Sequence, residues 1–193
     1  AADLTPALER IAEKMEGVKG RKILFAYFGF LPNYMGKIMN WGPERYNLEP
    51  TSIVTTLPTL ETFKVAPGME GATFYYYDLP KNEINDWLVT QHQEQFGSPP
   101  DFFTVEGFSA ASAVVTALKT AKSFETEDLI SAMEGMEFPT ARGPQRFRPE
   151  DHQAMMPMYH VKLANENGVA WAVPKLVRKI EPEEFDIPIR NKK

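Results

Sequence analysis

The stretch Gly143-Pro144-Gln145-Arg146-Phe147-Arg148-Pro149-Glu150-Asp151-His152-Gln153, running on into Met155-Met156-Pro157-Met158-Tyr159-His160-Val161, joins two differently patterned halves of a 193-residue chain. A Gly-Pro turn opens it, and Arg146 and Arg148 follow Arg142 at even spacing. Pro149-Glu150-Asp151 then supplies a closing turn before an apolar run. The stretch reads as an extended crossover and not as a helix. Residues an even number apart on an extended segment point to the same side, so the three guanidinium groups are expected on one face. Such a charge run has two readings: a solvated connector, or a face that binds an anion or pins a hinge.

On its N-terminal side the chain alternates helix and strand signals. Leu4, Leu8, Ile11, Ala12 and Met15 recur at helical steps after Thr5-Pro6, with Thr5 as the expected cap and Gly17 and Gly20 as the stop. Lys22 to Phe28 is an almost continuous apolar run, as expected of a strand covered on both faces. A second helical stretch carries Tyr34, Met35, Ile38, Met39 and Trp41, and a strand is predicted over Thr51 to Thr56. Strands alternating with helices at this spacing signal βαβ units, whose ligand crevice lies beyond the carboxyl ends of the strands. The fold class is therefore α/β with a parallel sheet.

A third strand is predicted over Gly71 to Tyr77, and a helix from Asn82 ends at Gly97. From Asp101 to Lys122 the chain is its most apolar and is expected to be a helix buried nearly all round. Thr126 is expected to cap a short helix. Beyond the crossover, alternating residues flank Asn165-Glu166-Asn167-Gly168, which predicts a C-terminal β-hairpin. The charged tail from Glu181 to Lys193 is expected to be poorly ordered at its end.

Composition narrows the function classes. Hydrophobic residues make up 43% and charged residues 24% of the chain, ordinary globular usage. No apolar run approaches the length that crosses a bilayer as a helix. With 21 basic and 26 acidic residues the net charge is −5, which argues against nucleic acid as a partner. The absence of cysteine removes disulfides, thiolate metal sites and a cysteine nucleophile. His92, His152 and His160 lack metal-ligand spacing, and no glycine-rich phosphate loop follows a strand. No catalytic set, metal or cofactor is expected. Ala1-Ala2-Asp3 shows no signal-peptide pattern, so such a peptide is either absent or already removed.

Aromatic and hydroxyl residues gather near the predicted strand ends. Tyr27, Phe28 and Phe30 form one group and Tyr75, Tyr76 and Tyr77 another, while Phe102 and Phe103 head the apolar helix and Thr55-Thr56 could donate to a carboxylate. Aromatic walls with a few polar donors suit a small-ligand pocket, and the competing reading of each is core packing. The candidate ligand-binding residues are Tyr27, Phe28, Phe30, Thr55, Thr56, Tyr75, Tyr77 and Phe103.

Phe25-Ala26-Tyr27-Phe28-Gly29 with Tyr34-Met35-Gly36, Gly68-Met69-Glu70-Gly71-Ala72, Tyr75-Tyr76-Tyr77-Asp78, Phe96-Gly97-Ser98-Pro99-Pro100-Asp101 and above all Gly143 to Gln153 carry a family resemblance. Together they resemble the extracytoplasmic solute-binding proteins of branched-chain amino-acid ABC transporters, across nearly the whole chain. The resemblance implies a type I periplasmic-binding-protein fold, a Venus-flytrap of two α/β lobes closing on a ligand. On that template residues 1–73 belong to the second lobe and 74–143 to the first, mostly helical. Residues 144–180 form the crossover and hairpin returning to the second lobe, and 181–193 the charged tail. Phe74, Arg146 and Arg148 become hinge and crossover residues.

Members of this family are longer, so neither lobe is complete here; a companion N-terminal fragment or self-association is the implied remedy. The resemblance also implies a periplasmic or extracellular location and an ABC permease as partner. Amino-acid-binding members resemble one another in placing an acid just beyond a second-lobe strand to meet the ligand ammonium. Here Thr55-Thr56-Leu57-Pro58-Thr59 occupies that region and Glu61 is the nearest acid. An ammonium without its acid is poorly compensated in a dry cleft. An aromatic or aliphatic carboxylate is therefore preferred over a branched-chain amino acid. The alternative function is a ligand-binding sensor domain of a receptor or transcriptional regulator.

Overall fold

The computed structural model describes residues 3–27 and 33–190. The chain divides into two compact units, Ala1–Thr73 with His160–Arg178, and Phe74–Tyr159 with Lys179–Lys193. It therefore passes from one unit to the other three times.

Unit 1 opens with helix α1 (Thr5–Lys14), which buries Leu8 and Ala12. Thr5 is its first residue rather than its cap, because the Thr5 amide donates to Asp3 Oδ1 at 3.0 Å. Strand β1 (Lys22–Phe25) runs parallel to β2 (Leu48–Thr51), pairing Lys22 with Leu48 and Phe25 with Thr51. Between them lies α2 (Tyr34–Trp41), whose Met35 and Ile38 are buried. The predicted strand over Thr51 to Thr56 is displaced towards the N-terminus. Beyond Thr51, among the described residues, a parallel bridge between Ile53 and Ala72 continues it.

That bridge is close. The Val54 amide donates to Ala72 O at 2.9 Å and the Ala72 amide to Ser52 O at 3.1 Å. A Cβ on Gly71 would lie 2.7 Å from Ser52 O, so glycine is required for the two backbones to meet. Helix α3 (Leu57–Thr62) follows, and β3 (Glu70–Thr73) lies next to β7 (Met158–Ala164), which lies next to β8 (Val173–Ile180). The last two are consecutive strands on either side of Asn167-Gly168, with Gly168 at φ +80°, as the hairpin reading expects.

Unit 2 is helical, with a small antiparallel sheet. Asn82 caps α4 (Glu83–Phe96) by accepting from the Asn85 amide at 3.0 Å, and Asp101 caps α5 (Phe102–Ala121) by accepting from the Phe103 amide at 3.0 Å. Helix α6 (Thr126–Met133) has no side-chain cap, so Thr126 opens the helix without capping it. Strands β4 (Glu137–Phe138), β5 (Gln145–Phe147) and β6 (Ala154–Met155) pair in chain order. One core gathers Tyr75, Leu88, Val105 and Ala141, and a second gathers Ala113, Ala117, Met136 and Phe138.

Several expectations are corrected. The third strand stops at Thr73, because Tyr75 turns into the helical core of unit 2 instead of continuing the sheet. Helix α5 is buried along one stripe, Val105, Ser109, Ala113 and Ala117, while Phe103, Val114 and Val115 are 71%, 49% and 48% exposed. Its uniform apolarity hid a single packed face, since α6 and β4 meet only one side. Strand β1 is likewise covered on one face: Leu24 is buried, and Ile23 and Phe25 are more than half exposed. In the division into compact units, residues 144–159 fall in unit 2 and His160 begins the second stretch of unit 1, which leaves the expected assignment of 144–180 to a returning crossover and hairpin untested. Residues 144–159 fall there because β5 and β6 pair with β4 and with each other.

Candidate functional site

In unit 1 the parallel pairing of β1 and β2 brings the segments that follow them to one edge of the sheet, the location where open α/β sheets bind ligands. Tyr27 stands there, about half exposed. Thr55 and Thr56 follow on the neighbouring segment, both half-buried. The Thr56 hydroxyl is engaged locally, accepting from the Thr59 amide at 3.3 Å and lying 3.0 Å from Thr59 Oγ1. Phe28 and Phe30 lie outside the described residues.

Behind this edge is a buried polar pair that the sequence did not suggest. Tyr34 Oη and Ser52 Oγ lie 2.7 Å apart, and the Tyr34 ring meets Phe63 edge-on at 5.8 Å. Burial pushes the Tyr34 phenol up from its ordinary value, against the opposing effect of the Ser52 hydrogen bond. Of the two tyrosines, Tyr27 is the exposed one.

In unit 2 the candidates separate. Tyr75 is 2% exposed, and its hydroxyl donates to Asn85 Oδ1 at 2.8 Å. Burial pushes this phenol far above its ordinary value, so Tyr75 is a core residue in this structure. Tyr77 is half-buried, packs against the same core and lies 4.5 Å from the Tyr76 ring. Phe103 is largely exposed on the first turn of α5, with Phe102 edge-on at 5.5 Å and Phe74 a further 5.6 Å from Phe102.

The arginines do not share a face. Arg142 is 2% exposed, whereas Arg146 lies on the exposed side of β5 and pairs with Glu183 at 3.3 Å. Gly143, at φ +105°, breaks the even alternation between them. Arg148 forms a two-pronged pair with Asp151 and donates to Ile187 O at 2.8 Å. All three belong to unit 2, and Phe74 is its first residue.

The histidines serve as connectors. His92 spans the α4 to α5 turn, its Nδ1 2.7 Å from Ser98 O and its Nε2 3.2 Å from Thr104 Oγ1. His152 lies 3.4 Å from Glu134, and His160 lies 3.2 Å from Glu70. Among the described residues no group of three or more acidic or histidine side chains is placed to hold a metal ion. Among them, too, no helix is long and apolar enough to cross a membrane.

The periplasmic binding protein family model matches residues 2–168. The chain belongs to the periplasmic binding protein family. Its fold is the type I form, as a solved structure titled an ABC-type branched-chain amino acid transporter from Rhodopseudomonas palustris shows. That structure is 50% identical with a TM-score of 0.91, covering 100% of this chain and 52% of its own. A solute-binding protein of an ABC transporter from another strain of that species, solved with 3,4-dihydroxybenzoic acid, shares the fold at 22% identity and a TM-score of 0.72. It covers 93% of this chain and 49% of its own. A leucine-, isoleucine-, valine-, threonine- and alanine-binding protein from Brucella ovis does so at 17% identity and a TM-score of 0.76, covering 100% and 50%. No curated protein matches the chain. This periplasmic binding protein chain thus spans about half the length of the solved structures it resembles.

Proposed function

We propose that the chain is part of the solute-binding protein of an ABC transporter, which captures a small carboxylate between two lobes and delivers it to a membrane permease. The observation that carries this reading is the 50% identity, over the whole chain, to the ABC-type branched-chain amino acid transporter structure. The three passages between compact units support it, because lobe closure about such connections is how binding couples to delivery in two-lobed proteins. The location that follows is periplasmic or extracellular.

The ligand class is read from the sheet edge of unit 1. Tyr27, Thr55 and Thr56 offer an aromatic surface and hydroxyls, and Thr55 to Thr59 contains no acid. Glu61 is exposed on α3. A carboxylate without an amine, aromatic or aliphatic, suits this surface better than an amino acid, whose ammonium would lose water without gaining a counter-charge. In unit 2, the candidates Phe103 and Tyr77 keep exposed surface.

Calorimetry with a panel of benzoates, aliphatic acids and branched-chain amino acids, on the polypeptide of full relative length, tests both levels. Binding of a benzoate or aliphatic acid is expected. Tight binding of leucine or valine would overturn the ligand preference, and the absence of binding by every member would overturn the capture reading.

A further inference from the structure

Arg142 is the one arginine of the crossover stretch that the proposed function leaves without a role. Its side chain is fully enclosed, and the groups that hold it all belong to unit 2. The turn that carries it is locked: Thr140 Oγ1 accepts from the Arg142 amide at 3.2 Å and donates to Gly143 O at 2.7 Å. The Gln145 amide, with its oxygen towards the guanidinium, accepts from Nε at 2.9 Å and Nη2 at 2.8 Å. One edge of the guanidinium is thereby fixed. Its remaining nitrogen, Nη1, lies 2.6 Å from Glu106 Oε1 without the alignment of a hydrogen bond, and has no hydrogen-bond partner among the described residues.

The two ends of this ion pair differ. The Arg142 side chain is sealed from solvent, whereas the Glu106 side chain keeps 35% of its surface. Glu106 therefore stands between an enclosed donor and the outside of α5. A glutamate on a helix surface turns outwards at little cost, but an enclosed guanidinium left without a counter-charge is strongly unfavourable. Only another anion can take the place of Glu106. Exchange of one carboxylate for another keeps the charge balance, and an incoming carboxylate is free to give Nη1 the aligned, charge-assisted hydrogen bond that Glu106 does not. For a purely structural site, well-packed apolar residues would serve at least as well.

The same helix supplies aromatic surface next to this position. Phe102 and Phe103 precede Glu106 on α5 by about one helical turn. Their rings meet edge-on at 5.5 Å, and Phe103 is 71% exposed. A ring bearing a carboxylate matches that order, aromatic surface and then an anion position along one helix. We infer that Arg142 is the carboxylate anchor of unit 2, binding an aromatic acid through Nη1 once Glu106 has swung away. The inference rests on the small-carboxylate reading and names the group that receives the charge. Thr140 and Gln145 are positioning residues, which aim Nη1 without touching the acid.

The test uses benzoate, with benzamide as its uncharged control, on the polypeptide of full relative length. Calorimetry is expected to show binding of benzoate and none of benzamide. Arg142→Lys keeps the charge and loses the fork, and should weaken benzoate binding about tenfold or more. Glu106→Gln removes the competing carboxylate and should tighten benzoate about tenfold, while the acid-free variant unfolds at lower urea than the parent. Added benzoate should then raise the urea midpoint more in Glu106→Gln than in the parent, a gain that a merely structural ion pair would not produce. Benzoate affinity unchanged in folded Arg142→Lys, or not tightened in Glu106→Gln, overturns the inference and leaves the capture reading standing. So does benzamide binding as tightly as benzoate, or binding of an aliphatic acid and not of benzoate. Should Arg142→Lys fail to fold, the direction of the Glu106→Gln change decides alone. A panel without any binder overturns the capture reading and this inference together.

Discussion

Arg148 and Asp151 close a two-pronged ion pair, Nε to Oδ1 at 2.8 Å and Nη2 to Oδ2 at 2.7 Å, and both partners also hold the C-terminal segment. Arg148 Nη1 donates to Ile187 O, and the Arg190 amide donates to Asp151 Oδ2 at 3.2 Å. The tail is therefore strapped to the turn after β5 as far as Arg190. The hydrogen bonds from the Arg148 guanidinium hold the Asp151 carboxyl well below the usual carboxylate range, against the opposing effect of burial. A depressed folded pKa contributes stability that is present above the unfolded value, about 3.9, and is lost as pH falls through the folded one. Asp151→Asn is thus expected to be less stable than the parent at neutral pH, with the gap shrinking below about pH 4. Urea midpoints for both proteins across that range check it, and a gap independent of pH would remove Asp151 as the cause.

Asn85 is the centre of the unit 2 polar core. It accepts from Tyr75 Oη and donates to Tyr77 O at 2.9 Å and Pro80 O at 3.2 Å, at 2% exposure. Asn85→Ala removes the partner of the Tyr75 hydroxyl and of the Tyr77 and Pro80 carbonyls and is expected to cost about 2 to 4 kcal/mol, against about 1 kcal/mol for Tyr75→Phe, which leaves the Asn85 donors paired. Denaturant midpoints of the two variants decide it. Equal losses would mean that the Tyr75 hydroxyl, and not the asparagine, organises the turn.

What the sequence made legible followed from local chemistry. Asn82, Asp101 and Gly97 marked helix ends because a cap or a left-handed residue acts within a few positions of itself. The ordered helix and strand signals between Thr5 and Thr73 sufficed for α/β. What stayed hidden was which face each element buries, since Ile23, Phe25, Val114 and Val115 are as apolar as their buried neighbours. Nor could spacing reveal that Gly143 turns Arg142 inward and Arg146 outward, or that Tyr75 packs in a core while Phe103 faces outward. Those distinctions depend on contacts between residues distant in the chain.

Gly71 tests the close approach of unit 1. Its substitution by alanine forces a methyl to within 2.7 Å of the Ser52 carbonyl oxygen, a backbone atom held by the Ala72 amide. Gly71→Ala is expected to cost about 1 to 3 kcal/mol, the usual range for overpacking. Loss of hydrogen-exchange protection should be concentrated at the Val54 and Ala72 amides. Unchanged protection there would show that the bridge yields without strain.

The exposed apolar faces of β1 and α5 bear on what contacts this chain. Relatives are about twice as long, and exposed apolar surface on this scale ordinarily marks a contact. The occupant expected here is a segment of the kind that makes up the other half of those relatives. Since the chain has no cysteine, single Phe25→Cys and Val114→Cys variants report cover directly through their rates of thiol labelling. Labelling should be fast in the 193-residue chain and should slow at both positions in a polypeptide of full relative length. Equal rates in the two contexts would mean that these faces stay open to solvent, and that something other than such a segment accounts for their composition.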